Sequence, residues 1–220
     1  MLDFTAARRM MVDGQIRPSD VTDLRVIAAF LDVPRERFVP TRQAPLAYLD
    51  IDLPLGEGPA PRCLLKPMVL AKLIQAAALD ENDHVLDVGA ATGYSSAILS
   101  RLAGSVVSLE QDAALVRQGA EALQAASAAP VTGVIGPLAA GAPAHAPYDV
   151  ILINGAVEQE PAQLCAQLKD GGRLLCVLGA GAAGKAMLYL RDGAETSSRP
   201  LFDAAAPLLP GFAKVPAFVF

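Results

Sequence analysis

The residues that decide the fold are HVLDVGAATGY, His84–Tyr94. His84–Val88 is an apolar run of strand length that empties straight into a turn of small residues, with Gly89 and Gly93 on either side of Ala91. A helix pattern, Ser95–Leu102, follows at once. A buried strand, a glycine turn and a helix in immediate succession open an α/β sheet, and the same rhythm continues downstream. Ser105–Leu109 predicts a second strand, Asp112–Ala126 a helix, Val131–Ile135 a third strand and Asp149–Ile153 a fourth. Pro161–Leu168 predicts a short helix, and Gly172–Leu178 a fifth strand after the turn Asp170-Gly171-Gly172. Ala186–Leu190 and Pro216–Phe220 are expected to close the sheet as an antiparallel pair. The fold class is therefore α/β: Rossmann-like, doubly wound, with a mostly parallel seven-stranded sheet.

Upstream the periodicity is helical. Ser19-Asp20 is expected to cap a helix through Leu24, Val26, Ile27, Phe30 and Leu31 that ends before Pro34. A loop-like segment carries prolines at 40, 45, 54, 59 and 61, and Pro67 stands where a first-turn proline belongs, ahead of Met68, Leu70, Leu73 and Ile74. Residues 1–66 thus read as a helical and loop extension, and 67–220 as the sheet domain, the two forming one compact unit.

Composition narrows the classes. Of 220 residues, 53 % are hydrophobic and 19 % charged, ample for a buried core. The net charge of −5 argues against a broad nucleic-acid-binding face. The uncharged stretch Ala122–Tyr148 is broken by Pro130, Gly133, Gly136, Pro137, Gly141 and Pro143, too often for a membrane-spanning helix. Cys63, Cys165 and Cys176 form no CxxC pair, and His84 and His145 stand apart, so a zinc site has no support and the expectation is a cytoplasmic protein with reduced thiols.

In such sheets ligands bind beyond the carboxyl ends of the strands, beside the first strand–helix turn. A dinucleotide fingerprint requires a further glycine to let the helix pack, and here Tyr94 follows Gly93 instead. No Gly-Lys-Ser/Thr follows either, so a pyrophosphate ligand fits this turn poorly. Glu110, at the end of VVSLE and seventeen positions after Gly93, can accept both hydroxyl protons of a ribose. Asp87 adds a second carboxylate. A ribose-bearing ligand with a positive centre and no pyrophosphate suits this acidic rim, and S-adenosylmethionine answers that description.

Longer segments carry a resemblance. MVDGQIRPSDVTDLRVIAAFLDVPRERFVP (Met11–Pro40), AYLDIDLPLG (Ala47–Gly56), VLDVGAATGYSSAILS, VVSLE, YDVILINGA and LKDGGRLLCVLG are similar to segments of the protein-L-isoaspartate O-methyltransferases, a class I S-adenosylmethionine-dependent family, over about residues 10 to 190. The resemblance implies methyl transfer to the carboxyl group of isoaspartyl residues in damaged proteins. It implies S-adenosylmethionine as cofactor, S-adenosylhomocysteine as product and no metal. Asp87, Gly89, Ala91, Gly93, Tyr94, Glu110, Gly136, Pro137 and Asn154 would lie about the cofactor, and the partner would be a protein or peptide with a carboxylate acceptor. It leaves the oligomeric state, monomer or dimer, open.

Three positions depart from the family pattern. Where the family carries a serine that helps hold the substrate carboxylate, alignment on Pro67 puts Leu65, followed by Lys66, and no hydroxyl side chain lies between Ile51 and Asn82. Arg62 and Lys66 are the cations of this segment able to pair with a carboxylate. After the third strand the family has Gly-Asp, whose aspartate can accept a hydrogen bond from the adenine amino group, whereas this chain has Gly136-Pro137. Ala91 is the third, in place of a glycine. The same fold acting on another acceptor, or a catalytically inactive binding protein, are therefore the alternatives.

Overall fold

The computed structural model describes residues 3–56, 62–179 and 181–214. Helix α1 (Phe4–Met11) is capped by Asp3, whose carboxylate accepts the N–H groups of Thr5 and Ala6. It runs on through a π turn, Val12–Ile16, and a 3-10 turn, Arg17–Ser19. Asp20 then adopts φ +65°, and the next helix, α2 (Leu24–Asp32), is capped by Asp23 instead of Ser19-Asp20. The reason is geometric: a capping residue must be extended, and Asp23 is while the left-handed Asp20 is not. After two 3-10 turns, Arg35–Phe38 and Thr41–Leu46, a short antiparallel pair forms between β1 (Leu53–Pro54) and β2 (Cys63–Leu64). Helix α3 (Pro67–Ala76) begins on its proline.

The remaining elements are β3 (His84–Val88), α4 (Tyr94–Leu99), β4 (Ser105–Glu110), α5 (Ala113–Ala126), β5 (Val131–Ile135), β6 (Tyr148–Val157), α6 (Ala162–Cys165), β7 (Leu168–Leu178), β8 (Lys185–Asp192) and β9 (Glu195–Asp203). They build a seven-stranded sheet in the order β5-β4-β3-β6-β7-β8-β9. The pairs from β5 to β7 are parallel, and β8 runs antiparallel to both β7 and β9. The chain moves outward from β3 to β5 and then returns to lay β6 on the other side of β3. That reversal puts the switch point between β3 and β6.

Among the described residues, β8, which contains the expected strand Ala186–Leu190, pairs antiparallel with β9 across a turn at Gly193 (φ +58°). β9 is mostly exposed and contains Pro200, so it lacks the apolar alternation of a half-buried strand, and a proline is accommodated there because the strand is an edge. Pro216–Phe220 lies outside the described residues. Asp170-Gly171-Gly172 is not a turn ahead of β7 but an irregularity within it, where the register against β6 shifts and Gly171 takes φ +73°.

Side chains alternate across β3, so Val85 packs with the N-terminal helices, α4 and α5, while Leu86 and Val88 face a second cluster with Ile151, Ile153, Leu164 and Leu209. Asp87 shares the face of Val85, under α4. Residues of the N-terminal extension, among them Met11, Ile16, Phe30 and Phe38, are buried in the same cluster as sheet residues Val85, Val106 and Val150. Among the described residues no helix is long and apolar enough to cross a membrane.

α5 lies so close to the β3–α4 turn that a Cβ on Gly119 would stand 1.9 Å from the carbonyl oxygen of Thr92. Backbone cannot swing aside as a flexible side chain does, so Gly119→Ala is expected to destabilise the protein by more than about 2 kcal/mol, at or beyond the middle of the range for overpacking. Urea unfolding measures it, and an unchanged midpoint would contradict this packing.

Candidate functional site

Four residues define the floor of the site at the switch point. Asp87, fully buried near the end of β3, accepts hydrogen bonds from Ser95 Oγ at 2.7 Å and Ser96 Oγ at 2.6 Å, both in the first turns of α4. The amide of Asn154 in β6 donates to Asp87 Oδ1 and, at 3.0 Å, to Ser95 Oγ. This knot ties β3, α4 and β6 together immediately beneath the turn. Burial pushes the Asp87 carboxyl up to about 6, the hydroxyls of Ser96 and Ser95 pull against it, and the charge of Glu110 adds to the rise.

Glu110, at the end of β4, is 1 % exposed. Its Oε2 accepts the N–H of Ala91 at 2.8 Å, and its Oε1 accepts those of Gln111 at 2.8 Å and Asp112 at 3.2 Å. Arg62 completes the shell: Nη2 lies 2.9 Å from Glu110 Oε2 and donates also to the carbonyl of Gly89 at 2.9 Å, with Nε 3.4 Å from Oε1.

The turn itself is shaped by three left-handed residues, Gly89 (φ +76°), Ala91 (φ +55°) and Gly93 (φ +90°). The open face of Gly89 looks onto Arg62 Nη2 and the side chain of Leu209, 2.9 and 3.2 Å from where a Cβ would sit. Gly93 does not face the site. Its open side packs on Leu123 of α5, at 2.9 Å. Tyr94 is buried between Phe30, Phe38 and the guanidinium of Arg35, which stands 4.7 Å above its ring, and burial pushes its hydroxyl up to about 12.

Leu65 is buried, and its carbonyl accepts a hydrogen bond from Arg35 Nη2 at 2.8 Å. Lys66 is held by Asp52, which accepts its N–H at 2.9 Å and pairs with its Nζ at 3.4 Å. Gly136 donates its N–H to the main-chain carbonyl of Glu110 at 3.1 Å, and Pro137 is exposed beside it. Asp87, Gly89, Ala91, Tyr94, Glu110, Asn154 and Leu65 therefore converge, whereas Gly93 supports the packing of α5 and Pro137 offers no hydrogen-bonding side chain.

Sequence reasoning missed Ser95, Ser96, Gly119 and Leu209, and it did not foresee that Arg62 pairs with a carboxylate of its own chain. A lone glycine within the α5 pattern was the available signal for Gly119. For Leu209 there was none: the segment after β9 returns to the sheet through Leu209 N–H to Ala156 O (3.0 Å) and covers Gly155, whose Cβ would meet it at 2.5 Å.

An open sheet with its glycine turn, its strand-end carboxylate and its switch point at β3/β6 is the Rossmann-like methyltransferase fold. The family model described as Protein-L-isoaspartate(D-aspartate) O-methyltransferase matches residues 7–202. The chain is 35 % identical over 213 residues to the protein-L-isoaspartate O-methyltransferase of Roseiflexus sp. strain RS-1, covering 96 % of each chain. It is 37 % identical over 187 residues to protein-L-isoaspartate O-methyltransferase 1 of Rhodopseudomonas palustris strain HaA2, covering 85 % of this chain and 75 % of that one. A solved protein-L-isoaspartate O-methyltransferase superposes with a TM-score of 0.79 at 25 % identity, over 93 % of this chain and 66 % of that one. A Plasmodium falciparum structure, described as in complex with S-adenosyl-L-homocysteine, shares the fold with a TM-score of 0.76 at 14 % identity, over 95 % of this chain and 99 % of that one. The chain belongs to the protein-L-isoaspartate O-methyltransferase family.

Two outcomes follow from this geometry. Because the Asp87 carboxyl is raised, between about pH 4 and 6 the folded protein holds a proton that the unfolded chain has released. The contribution of Asp87 to stability therefore falls as pH rises through that window and is level above it. Carboxyl-carbon NMR of Asp87 is expected to titrate near pH 6, and a midpoint at or below 4 would contradict the burial argument. For Ala91, left-handed strain of about 1–2 kcal/mol is opposed by about 0.8 for the buried methyl and about 0.4–1 for the added chain entropy of glycine. Ala91→Gly is thus expected to change stability by less than about 1 kcal/mol in urea unfolding, whereas β-branched Ala91→Val should lose more than about 2.

Proposed function

We propose that the protein transfers a methyl group from S-adenosylmethionine to a carboxylate, and that the acceptor is an isoaspartyl residue of a protein or peptide. The observation that carries this reading is the buried Glu110 at the end of β4, beside the glycine turn at the switch point, in a chain whose family match spans residues 7–202. The donor set fits the cofactor. A carboxylate gripped by three backbone N–H groups keeps about one of its four lone-pair sites for a further donor, and a guanidinium here stands where a ribose diol would present its hydroxyls. Glu110 would hold that diol, Gly89 would allow close approach, and the Asp87–Ser95–Asn154 knot would keep the turn in place.

When bound, S-adenosylmethionine supplies an activated methyl group on a sulfonium. Little else is asked of the protein. An acceptor carboxylate is ionised at neutral pH, so no general base is needed. Leu64, Leu65, Leu70 and Tyr94 line the space next to Gly89 and Ala90 and would exclude water from the reacting atoms.

One observation favours a second acceptor. Leu65 offers no hydroxyl, and its carbonyl is engaged by Arg35, so the acceptor is gripped differently from the serine-containing pattern. A methyl-transfer assay with an isoaspartyl peptide and its aspartyl isomer decides. Incorporation into the isoaspartyl peptide alone is the expected result. Incorporation into neither, by protein that binds S-adenosylhomocysteine, would move the reading to another acceptor, and loss of binding as well would leave a non-catalytic protein.

A further inference from the structure

The space expected for the cofactor's ribose is filled by the protein itself. Arg62 is only 11 % exposed, lies between the Gly89 carbonyl and Glu110, and covers the face of Gly89 that glycine leaves open. The cavity left among Cys63, Leu64, Leu65, Gly89, Ala90, Tyr94, Ser95 and Asn154 is about 10 Å³, no larger than a single water. A carboxylate offers about four lone-pair sites, and three are taken by the N–H groups of Ala91, Gln111 and Asp112. Arg62 takes what remains. A ribose diol needs the same remaining capacity, so the two compete for Glu110.

We propose that Arg62 is an internal occupant of the ribose subsite, so that cofactor binding is an exchange in which the diol replaces the guanidinium on Glu110. This rests on the reading of the site as an S-adenosylmethionine site. Arg62 immediately precedes β2, a two-residue strand, so the pairing links the acceptor-side segment to the state of the cofactor site. Affinity for the cofactor is then set partly by a residue that leaves when the cofactor arrives. The exchange puts neutral hydroxyls where a cation stood: Glu110 keeps hydrogen-bond donors but loses its counter-charge, and the freed guanidinium returns to water, where it is well solvated.

Isothermal titration with S-adenosylhomocysteine tests the proposal without turnover. Arg62→Met keeps the aliphatic stem and removes the competing donors, and it is expected to bind about tenfold tighter than the wild type or better, since part of the cost of breaking a buried pair is removed. Arg62→Lys keeps a single donor and should fall between the two. Arg62→Ala serves as a second neutral variant if Met alters the fold, which a thermal melt reports. Folded neutral variants that bind no tighter than the wild type overturn the exchange while leaving the cofactor assignment standing. Failure of every variant and of the wild type to bind at millimolar ligand overturns both.

Discussion

The carboxylate of Glu110 is where three separately encoded pieces of chain meet. The β3–α4 turn reaches it through the N–H of Ala91, the start of α5 through the N–H groups of Gln111 and Asp112, and the segment before β2 through Arg62. A charge this deeply buried is sustained only by such a shell. The same shell explains the conformation of Ala91. Its left-handed backbone costs about 1–2 kcal/mol, but that conformation belongs to the turn that presents its N–H to Glu110, and a hydrogen bond to a charged group contributes about 1.5–3 kcal/mol. The bond outweighs the strain, so an alanine persists where glycine would be unstrained.

Arg35 plays the corresponding part for the segment around Leu65. Its side chain is completely buried, and burial pulls its pKa below the ordinary arginine value. Nε donates to the carbonyl of Ala47 and Nη2 to that of Leu65, each at 2.8 Å, while the guanidinium stacks on Tyr94. Asp52 and Asp50 hold the next backbone groups, the N–H of Lys66 and of Met68. The path of residues 65–68 is therefore set by main-chain contacts to distant side chains. Replacing a serine by Leu65 changes what that path presents without changing where it runs.

The central strands β3, β4, β6 and β7 were legible because they are largely buried on both faces and separated by turns with glycine or capping residues. Asp112, for instance, caps α5, as its place before Ala113 suggested. β9 was not, since an exposed edge strand with Pro200 carries none of the apolar signal on which strand recognition depends. Asp87 and Glu110 were legible as neighbouring carboxylates, because each stands at or near the end of a strand pattern and the two strands pair in parallel. Gly93 illustrates the limit. Its place in the turn suggested ligand approach, but its open face serves Leu123, and spacing along the chain cannot tell these two uses of a missing Cβ apart. Arg62 and Leu209 reach the site across long stretches of chain, so only the folded arrangement brings them there.

The three departures from the family pattern are physically unequal. Two of them, Ala91 and Gly136-Pro137, meet Arg62 at Glu110: Ala91 and Arg62 at its carboxylate, and Gly136 through its N–H to the main-chain carbonyl. They belong to one hydrogen-bonded network at the cofactor end of the site, where a change in one donor alters what the others must supply. Leu65 is held instead through its carbonyl by Arg35, which in turn stacks on Tyr94 at the start of α4. The two sets of contacts use different donors, yet they meet at Tyr94 and at the small cavity that Leu65, Gly89 and Ala90 line together. A substitution at Arg62 removes no donor from the carbonyl of Leu65, and a change of the Leu65 side chain removes none from Glu110. The hydrogen bonding at the two ends can therefore change independently although one cavity joins them.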